Sequence, residues 1–72
     1  MTNYYTKERI TAEEFYNTIC ENHIRRAKNM NKTIIHILVW NLTVDMLELL
    51  TIVRANGYNA RLYKSRILVI AL

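Results

Sequence analysis

The last seven residues of the chain, RILVIAL (66–72), constrain the fold more than any other stretch. After Arg66 come six consecutive apolar residues, and three of them are β-branched. A strand with one face in water alternates apolar and polar side chains, because successive residues point to opposite faces of the sheet. This stretch does not alternate, so both of its faces require cover, as is typical of a central strand. It is also too short to span a membrane as a helix.

Two helices are predicted upstream of this strand. Thr11 and Glu14 have the spacing of a capping box, so the first helix should begin at Ala12. The second helix should be capped by Thr43 and end at Gly57, since glycine adopts the left-handed conformation of a C-terminal cap without strain. The apolar residues of the first helix recur at spacings of three and four: Phe15, Tyr16, Ile19, Cys20, Ile24 and Ala27.

Two further strands complete the pattern. Residues 33–40 (TIIHILVW) form the first of them, with one wholly apolar face and one mixed face. Residues 58–63 (YNARLY) alternate apolar with polar side chains, which is typical of an edge strand with one solvated face. Lys64 and Ser65 then form a short hairpin turn that leads into the last strand.

The element order α-β-α-β-β favours one topology. A right-handed crossover leaves the first two strands parallel, and the hairpin makes the third strand antiparallel to the second. With the apolar last strand in the centre, this gives a three-stranded mixed sheet of order 1-3-2 with both helices on one face. Residues 10–72 are predicted to form this single α+β domain, after a flexible N-terminal arm at 1–9. The other sheet face needs a partner, either a second copy of the chain or a different protein.

Composition argues against several classes of function. The 72 residues include one glycine and no proline, so a glycine-rich phosphate loop is excluded. The only cysteine, Cys20, forms no internal disulfide, and no stretch resembles a signal peptide or a membrane helix, which predicts a cytoplasmic protein. Cys20, His23 and His36 are the candidates for metal or thiol chemistry, but they lack paired zinc-site spacing and an orienting acid. We therefore expect a protein that is not an enzyme and has no cofactor.

Two sets of residues are candidates for binding. The first is predicted to bind protein through apolar and aromatic side chains of the sheet: Ile34, His36, Leu38, Trp40 and Tyr63. The second is basic, and an alternative hypothesis assigns it to nucleic acid: Arg25, Arg26, Arg54, Arg61, Lys64 and Arg66. The net charge of +4 is mild, and these basic residues can equally keep the rim of the sheet soluble and guard its edge.

The C-terminal part of the chain, residues 42–72, combines a capped apolar helix, the Gly57-Tyr58 pair and a hairpin in the stretch LTVDMLELLTIVRANGYNARLYKSRILVIAL. In this pattern it resembles small uncharacterised bacteriophage accessory proteins. The resemblance implies a phage-type protein that blocks or diverts a host defence or regulatory protein in the host cytoplasm, and it transfers no site residues. Together with the uncovered sheet face, it predicts a homo-oligomer, most simply a dimer, that acts by binding.

Overall fold

The computed structural model describes residues 9–72, so the predicted arm at 1–9 lies outside the described residues except for Arg9. The first helix, α1, spans residues 12–29 in three consecutive segments: α-helical Ala12–Phe15, π-helical Tyr16–Cys20 and α-helical Glu21–Asn29. The remaining elements are strand β1 (Ile34–Leu38), helix α2 (Met46–Ala55), strand β2 (Asn59–Tyr63) and strand β3 (Ile67–Ala71). The α+β class and the element order agree with the sequence prediction.

The sheet has the order β1-β3-β2, with the apolar C-terminal strand in the centre as predicted. The prediction of a mixed sheet is wrong, because both ladders are antiparallel. Strands β1 and β2 do run in the same direction, but β3 lies between them and no parallel pair forms. The crossover rule therefore fixed the strand directions correctly, while the insertion of β3 removed the only contact that could have been parallel.

Both helices pack on the same face of the sheet around one core. Leu68 and Ile70 of β3 point into this core and are fully buried, as are Phe15 of α1 and Leu49 of α2. Burying a side chain of this size contributes about 1.5–3 kcal/mol relative to leaving it in water. The predicted apolar stripe of α1 is buried, apart from Ile19, which is half-buried. The core therefore forms between the two helices and the inward side chains of the sheet.

The ends of helix α1 follow the sequence signals. At its start the Thr11 hydroxyl accepts a hydrogen bond from the Glu14 amide at 3.1 Å, which confirms the predicted cap and the start at Ala12. At its end Asn31 adopts a positive φ of 57°, and the Lys32 amide donates to the oxygen of residue 27 at 2.9 Å. This is the arrangement of a Schellman motif, in which asparagine takes the position often held by glycine.

The π-helical turn inside α1 was not predicted. Its signature is the Glu21 amide, which donates to the Tyr16 carbonyl five residues earlier. A π-turn adds one residue to a helical turn, and apolar spacings of three and four do not reveal it, because the buried face stays continuous. No helix among residues 9–72 has the length and apolar character that a membrane span requires.

Helix α2 begins later than predicted. Thr43 is not its cap: Asp45 caps the helix, and its carboxylate accepts from two first-turn amides at 3.0 and 3.2 Å. Thr43 is occupied elsewhere, since its hydroxyl accepts from the Ile10 amide at 3.0 Å and donates to the Asn41 side chain at 2.6 Å. A contact with a residue far away in the chain has thus taken the group that local sequence assigned to capping. The end at Gly57, with φ 91°, agrees with the prediction.

Strand β1 is shorter than the predicted 33–40, because regular pairing ends at Leu38. Trp40 consequently turns away from the sheet and packs edge-on against Phe15, with ring centroids 6.0 Å apart. The hairpin between β2 and β3 turns at Lys64 and Ser65 as predicted, but Arg66 also belongs to the turn, because Tyr63 pairs with Ile67 and β3 begins there. Lys64 and Ser65 both lie in the left-handed region, at φ 51° and 61°. These are positions that side chains other than glycine and asparagine adopt only at a cost.

Candidate protein-binding surface

The side of the sheet away from the helices carries no helix in the described part of the chain, and we call it the open face. Its side chains form three rows across the sheet, because the strands pair in register. Nine residues make up the open face: Ile34, His36 and Leu38 from β1, Ile67, Val69 and Ala71 from β3, and Asn59, Arg61 and Tyr63 from β2. Four of the five residues predicted to bind protein therefore share one surface.

Three large apolar or aromatic side chains of the open face are well exposed. Ile34 is 47% exposed, Leu38 62% and Tyr63 52%. Leu38 and Tyr63 lie at the two ends of one row, with half-buried Ile67 between them. Clustered apolar exposure of this kind marks interaction surfaces more often than isolated exposed residues do. The arrangement can bury these side chains against another protein.

In the middle row of the open face, the central side chain is shielded by its neighbours on the two outer strands. Val69 is only 6% exposed although no helix lies above it, and its register partners are His36 on one side and Arg61 on the other. Long polar side chains can lay their carbon stems over an apolar neighbour while keeping the polar end in water. The second face of β3, which we expected another polypeptide to cover, is therefore covered in part by its own sheet. Ile67 is half-buried and Ala71 remains exposed.

A concavity of about 420 Å³ opens at one end of the open face. Its lining combines apolar side chains with two guanidinium groups on the β2 side: Ile34, Arg54, Asn59, Ala60, Arg61, Val69 and Ala71. A volume of this size accommodates one large side chain of a partner. Arg61 beside it favours a partner that also carries a carboxylate close to that side chain.

Trp40, the fifth residue of the predicted protein-binding set, is not on the open face. Alternation along an eight-residue strand would have placed it in line with Leu38, but β1 has already ended there. Its ring is half-buried against Phe15 and belongs to the packing of the core. Trp40 therefore contributes to the packing of the fold and does not belong to the surface formed by the other four residues.

Two of the six basic residues in the nucleic-acid hypothesis hold the backbone together. The half-buried Arg66 guanidinium donates to three carbonyl oxygens of the segment that connects β1 to α2, and two of these bonds, to Val39 and Val44, measure 3.3 Å. Arg54 donates through Nε and Nη2 to the Ala60 oxygen at 3.1 and 2.9 Å. Both arginines are thus committed to carbonyl groups of the protein itself.

The other four basic residues are exposed and do not form one cluster. Arg25 and Arg26 lie beside separate depressions, the first shared with Tyr58 and the second with His36. Arg61 belongs to the open face, and the Lys64 ammonium lies 5.3 Å from the centre of the neighbouring Tyr63 ring. The structure therefore brings Arg61, Lys64 and Tyr63 into one neighbourhood of the sheet, whereas the two arginines of α1 belong to other surfaces.

The candidate residues for metal or thiol chemistry are separated by burial. Cys20 is fully buried in the core, and burial raises the pKa of its thiol to about 12. A thiol that stays protonated at neutral pH is a poor nucleophile and a poor metal ligand. His23 and His36 are exposed. Within the described residues no three His, Cys, Asp or Glu side chains are grouped so that they could hold a metal ion.

Several residues of the open face were missed from sequence because the register between β2 and β3 depends on the length of the turn. The predicted two-residue turn, Lys64-Ser65, would pair Tyr63 with Arg66, whereas the three-residue turn in the structure pairs Tyr63 with Ile67 and places Arg61 and Val69 on the same face as these two. No sequence signal predicts that Arg54 lines the concavity at the end of the open face. Its position depends on its hydrogen bonds to the Ala60 oxygen, and these depend on the path of the chain. Comparison with protein-family models, with curated proteins and with solved structures finds no match in any of the three.

Proposed function

We propose that this chain is a small non-enzymatic phage-type protein that binds a host defence or regulatory protein and so blocks or diverts it in the host cytoplasm. The observation that carries the proposal is the one-sided sheet, whose open face exposes Ile34, Leu38 and Tyr63 together. Binding would bury these side chains, which are of the apolar and aromatic kind that anchors protein interfaces.

The positive charge of the chain favours a partner with an acidic surface. The chain carries a net charge of +4, and Arg61 lies at the rim of the open face next to the concavity. An acidic surface on the target would be attracted over a distance and would orient the encounter. We therefore expect a partner that presents one apolar or aromatic side chain flanked by Asp or Glu.

A second candidate function, nucleic-acid binding, rests on a different observation. Tyr63 is exposed between Arg61 and Lys64, which is the combination of ring and cations that single-stranded nucleic acid favours. This hypothesis predicts that affinity for an oligonucleotide falls steeply between about 50 and 200 mM salt, and that Arg61→Glu abolishes it. Binding that is absent, or that does not respond to salt, removes this candidate.

The protein-binding proposal is tested by photocrosslinking in the cells that naturally produce the protein. A photoreactive phenylalanine analogue replaces Tyr63 on the open face, and in a matched control it replaces Leu47, which is 71% exposed on α2. We expect one dominant adduct with a host protein from position 63 and none from position 47, because only the first lies in the proposed interface. A competing excess of unlabelled wild-type protein should suppress the adduct.

Two outcomes would contradict this proposal. Equal labelling from both positions would show contact without a defined surface. A complete lack of adducts at position 63, with adducts at position 47, would place the interface on the helical side. Loss of the adduct in the Arg61→Glu variant would further support an acidic partner surface, since charge reversal there leaves the core untouched.

A further inference from the structure

The outer edge of β1 presents backbone groups with no partner inside the described chain. The Val39 amide donates to the Arg66 oxygen and the Leu72 amide to the Thr33 oxygen, both at 2.9 Å, so the odd-numbered residues of β1 bond to β3. In an antiparallel ladder the direction of these groups alternates along the strand. The amides and carbonyls that point away from the sheet therefore belong to Ile34, His36 and Leu38.

We propose that a second copy of the chain pairs with this edge, antiparallel and about a two-fold axis at His36, so that two three-stranded sheets become one sheet of six strands. This inference rests on the proposed function, because it doubles the open face through which the protein binds its target. In this register His36 lies opposite its own counterpart, and Ile34 lies opposite Leu38 of the second copy. Each outward amide then meets an outward carbonyl, and the edge is fully hydrogen-bonded.

The side chains at this edge are complementary to themselves. Pairing about His36 brings exposed Ile34 of each copy against exposed Leu38 of the other, on the same face of the joined sheet. Met30 is 60% exposed and lines a depression of about 160 Å³ together with Ile35 and His36. A strand added at the edge covers this depression as well. The sequence of β1 has no lysine, arginine, proline or glycine that would discourage pairing.

The area of the open face favours a second copy. Strands about 4.8 Å apart, with a rise of about 3.4 Å per residue, give one open face an extent of roughly 14 by 17 Å. That footprint of about 240 Å² is well below the roughly 800 Å² per partner of a stable interface. Joining two sheets raises this footprint to about 480 Å², which reduces the shortfall without removing it, and places the apolar contacts between Ile34 and Leu38 at its centre. The assembly also stops at two copies, because each copy uses its β1 edge and the dimer has no unpaired β1 edge left.

Charges beside the edge oppose the pairing. Arg26 of α1 and Lys32 of the connection to β1 line the depression next to it, and pairing brings these two charges closer to the same groups of the second copy. Screening by salt weakens this repulsion, whereas hydrogen bonds and apolar contacts are little affected. The dimer should therefore become tighter as salt rises, in contrast to a complex with nucleic acid.

The first test compares two lysine substitutions by analytical ultracentrifugation of the full chain. Leu38 and Tyr63 lie in the same row of the open face and are similarly exposed, but only Leu38 is at the β1 edge. We expect the wild type and Tyr63→Lys to sediment at twice the 8.6 kDa protomer mass, and Leu38→Lys to dissociate at least about tenfold more readily. Circular dichroism of both variants verifies that the fold is retained.

A second test reads the register directly. Opposed residues of a hydrogen-bonded pair have Cα atoms about 5.5 Å apart, which is within disulfide range. His36→Cys should form an intermolecular disulfide under mild oxidation, while Arg61→Cys, in the same row at the other edge, should not. The native Cys20 does not compete because it is fully buried.

The outcomes separate this inference from the proposed function. A wild-type protomer that stays monomeric at about 100 μM, or equal crosslinking at positions 36 and 61, overturns the edge-paired dimer and leaves the photocrosslinking result at position 63 untouched. A dimer that Tyr63→Lys dissociates and Leu38→Lys does not assigns association to the open face instead. A chain that becomes dimeric only after residues 1–8 are deleted assigns the edge to that segment, and also overturns the inference.

Discussion

The two edges of the sheet are protected in different ways. At the β2 edge, Arg54 reaches from the end of α2 and donates twice to the outward carbonyl of Ala60. Arg61 within the strand and Lys64 at its end add positive charge along the same side. Cover by a side chain and charge on the strand are both means by which proteins prevent unwanted pairing of an edge. One outward carbonyl of this edge is thus occupied and the strand is charged, so we expect further strands to be disfavoured here.

In the described part of the chain the β1 edge is less protected: no side chain donates to its outward carbonyls, and the charges beside it, on Arg26 and Lys32, lie outside the strand. The strand IIHIL contains no group that is permanently charged, and its outward side chains Ile34 and Leu38 are exposed. An edge of this kind favours the addition of a strand. The two edges therefore differ in the way the proposed dimer requires: we expect strand addition at β1 and not at β2, which would give a closed pair of chains and no fibre.

The largest effect is expected from Arg66, which ties the exit of β1 to the hairpin. Arg66→Met removes the donor of three carbonyls and should lower the free energy of unfolding by about 2–3 kcal/mol. Urea denaturation at one fixed protein concentration measures this change. Arg61→Met, on the exposed open face, is the matched control and should change stability by less than about 0.5 kcal/mol. Equal effects of the two substitutions would show that Arg66 contributes no more than a surface arginine.

Substitution of Arg54 should remove the difference between the two edges of the sheet. Arg54→Met removes both hydrogen bonds to Ala60 and should cost about 1 kcal/mol, because the site is partly exposed. The more informative consequence is assembly: with the β2 edge open, we expect species larger than a dimer in light scattering as protein concentration rises. Arg25→Met, on the outer surface of α1, controls for loss of charge. An unchanged mass would mean that another feature of β2 closes this edge.

The smallest effect concerns the turn that joins β2 to β3. Ser65 is held at φ 61°, which glycine adopts without strain, so Ser65→Gly should raise the free energy of unfolding by about 0.5–1 kcal/mol. Gly57→Ala is the opposing control, since Gly57 has φ 91° and no neighbour within 4 Å of an added Cβ. Any loss of stability there, about 1–2 kcal/mol, reflects backbone strain alone. Thermal denaturation of both variants, monitored by circular dichroism, tests whether Ser65→Gly raises stability and Gly57→Ala lowers it.

Much of the fold could be predicted because it depends on local patterns. The apolar run at 66–72 placed β3 in the centre, the Thr11 cap placed the start of α1, and Gly57 placed the end of α2. Each of these signals acts over a few residues, through side-chain alternation or a hydrogen bond within one turn. The open face was predictable to the same extent: Ile34, His36, Leu38 and Tyr63 were identified from alternation, whereas Trp40 was misplaced because nothing in the sequence marks the end of β1.

The amino-acid sequence specified the α-β-α-β-β order, the central position of the last strand and, among residues 9–72, a sheet face that carries no helix. Three contacts came only from the tertiary structure: Thr43 bonds to Ile10, Arg66 holds the segment after β1, and Arg54 donates to the outward carbonyl of Ala60 in β2. The physical reason is the separation along the chain over which each interaction acts. Periodicity and caps act between near neighbours in the chain, while a hydrogen bond across the fold requires donor and acceptor to be brought within about 3 Å by the path of the whole backbone.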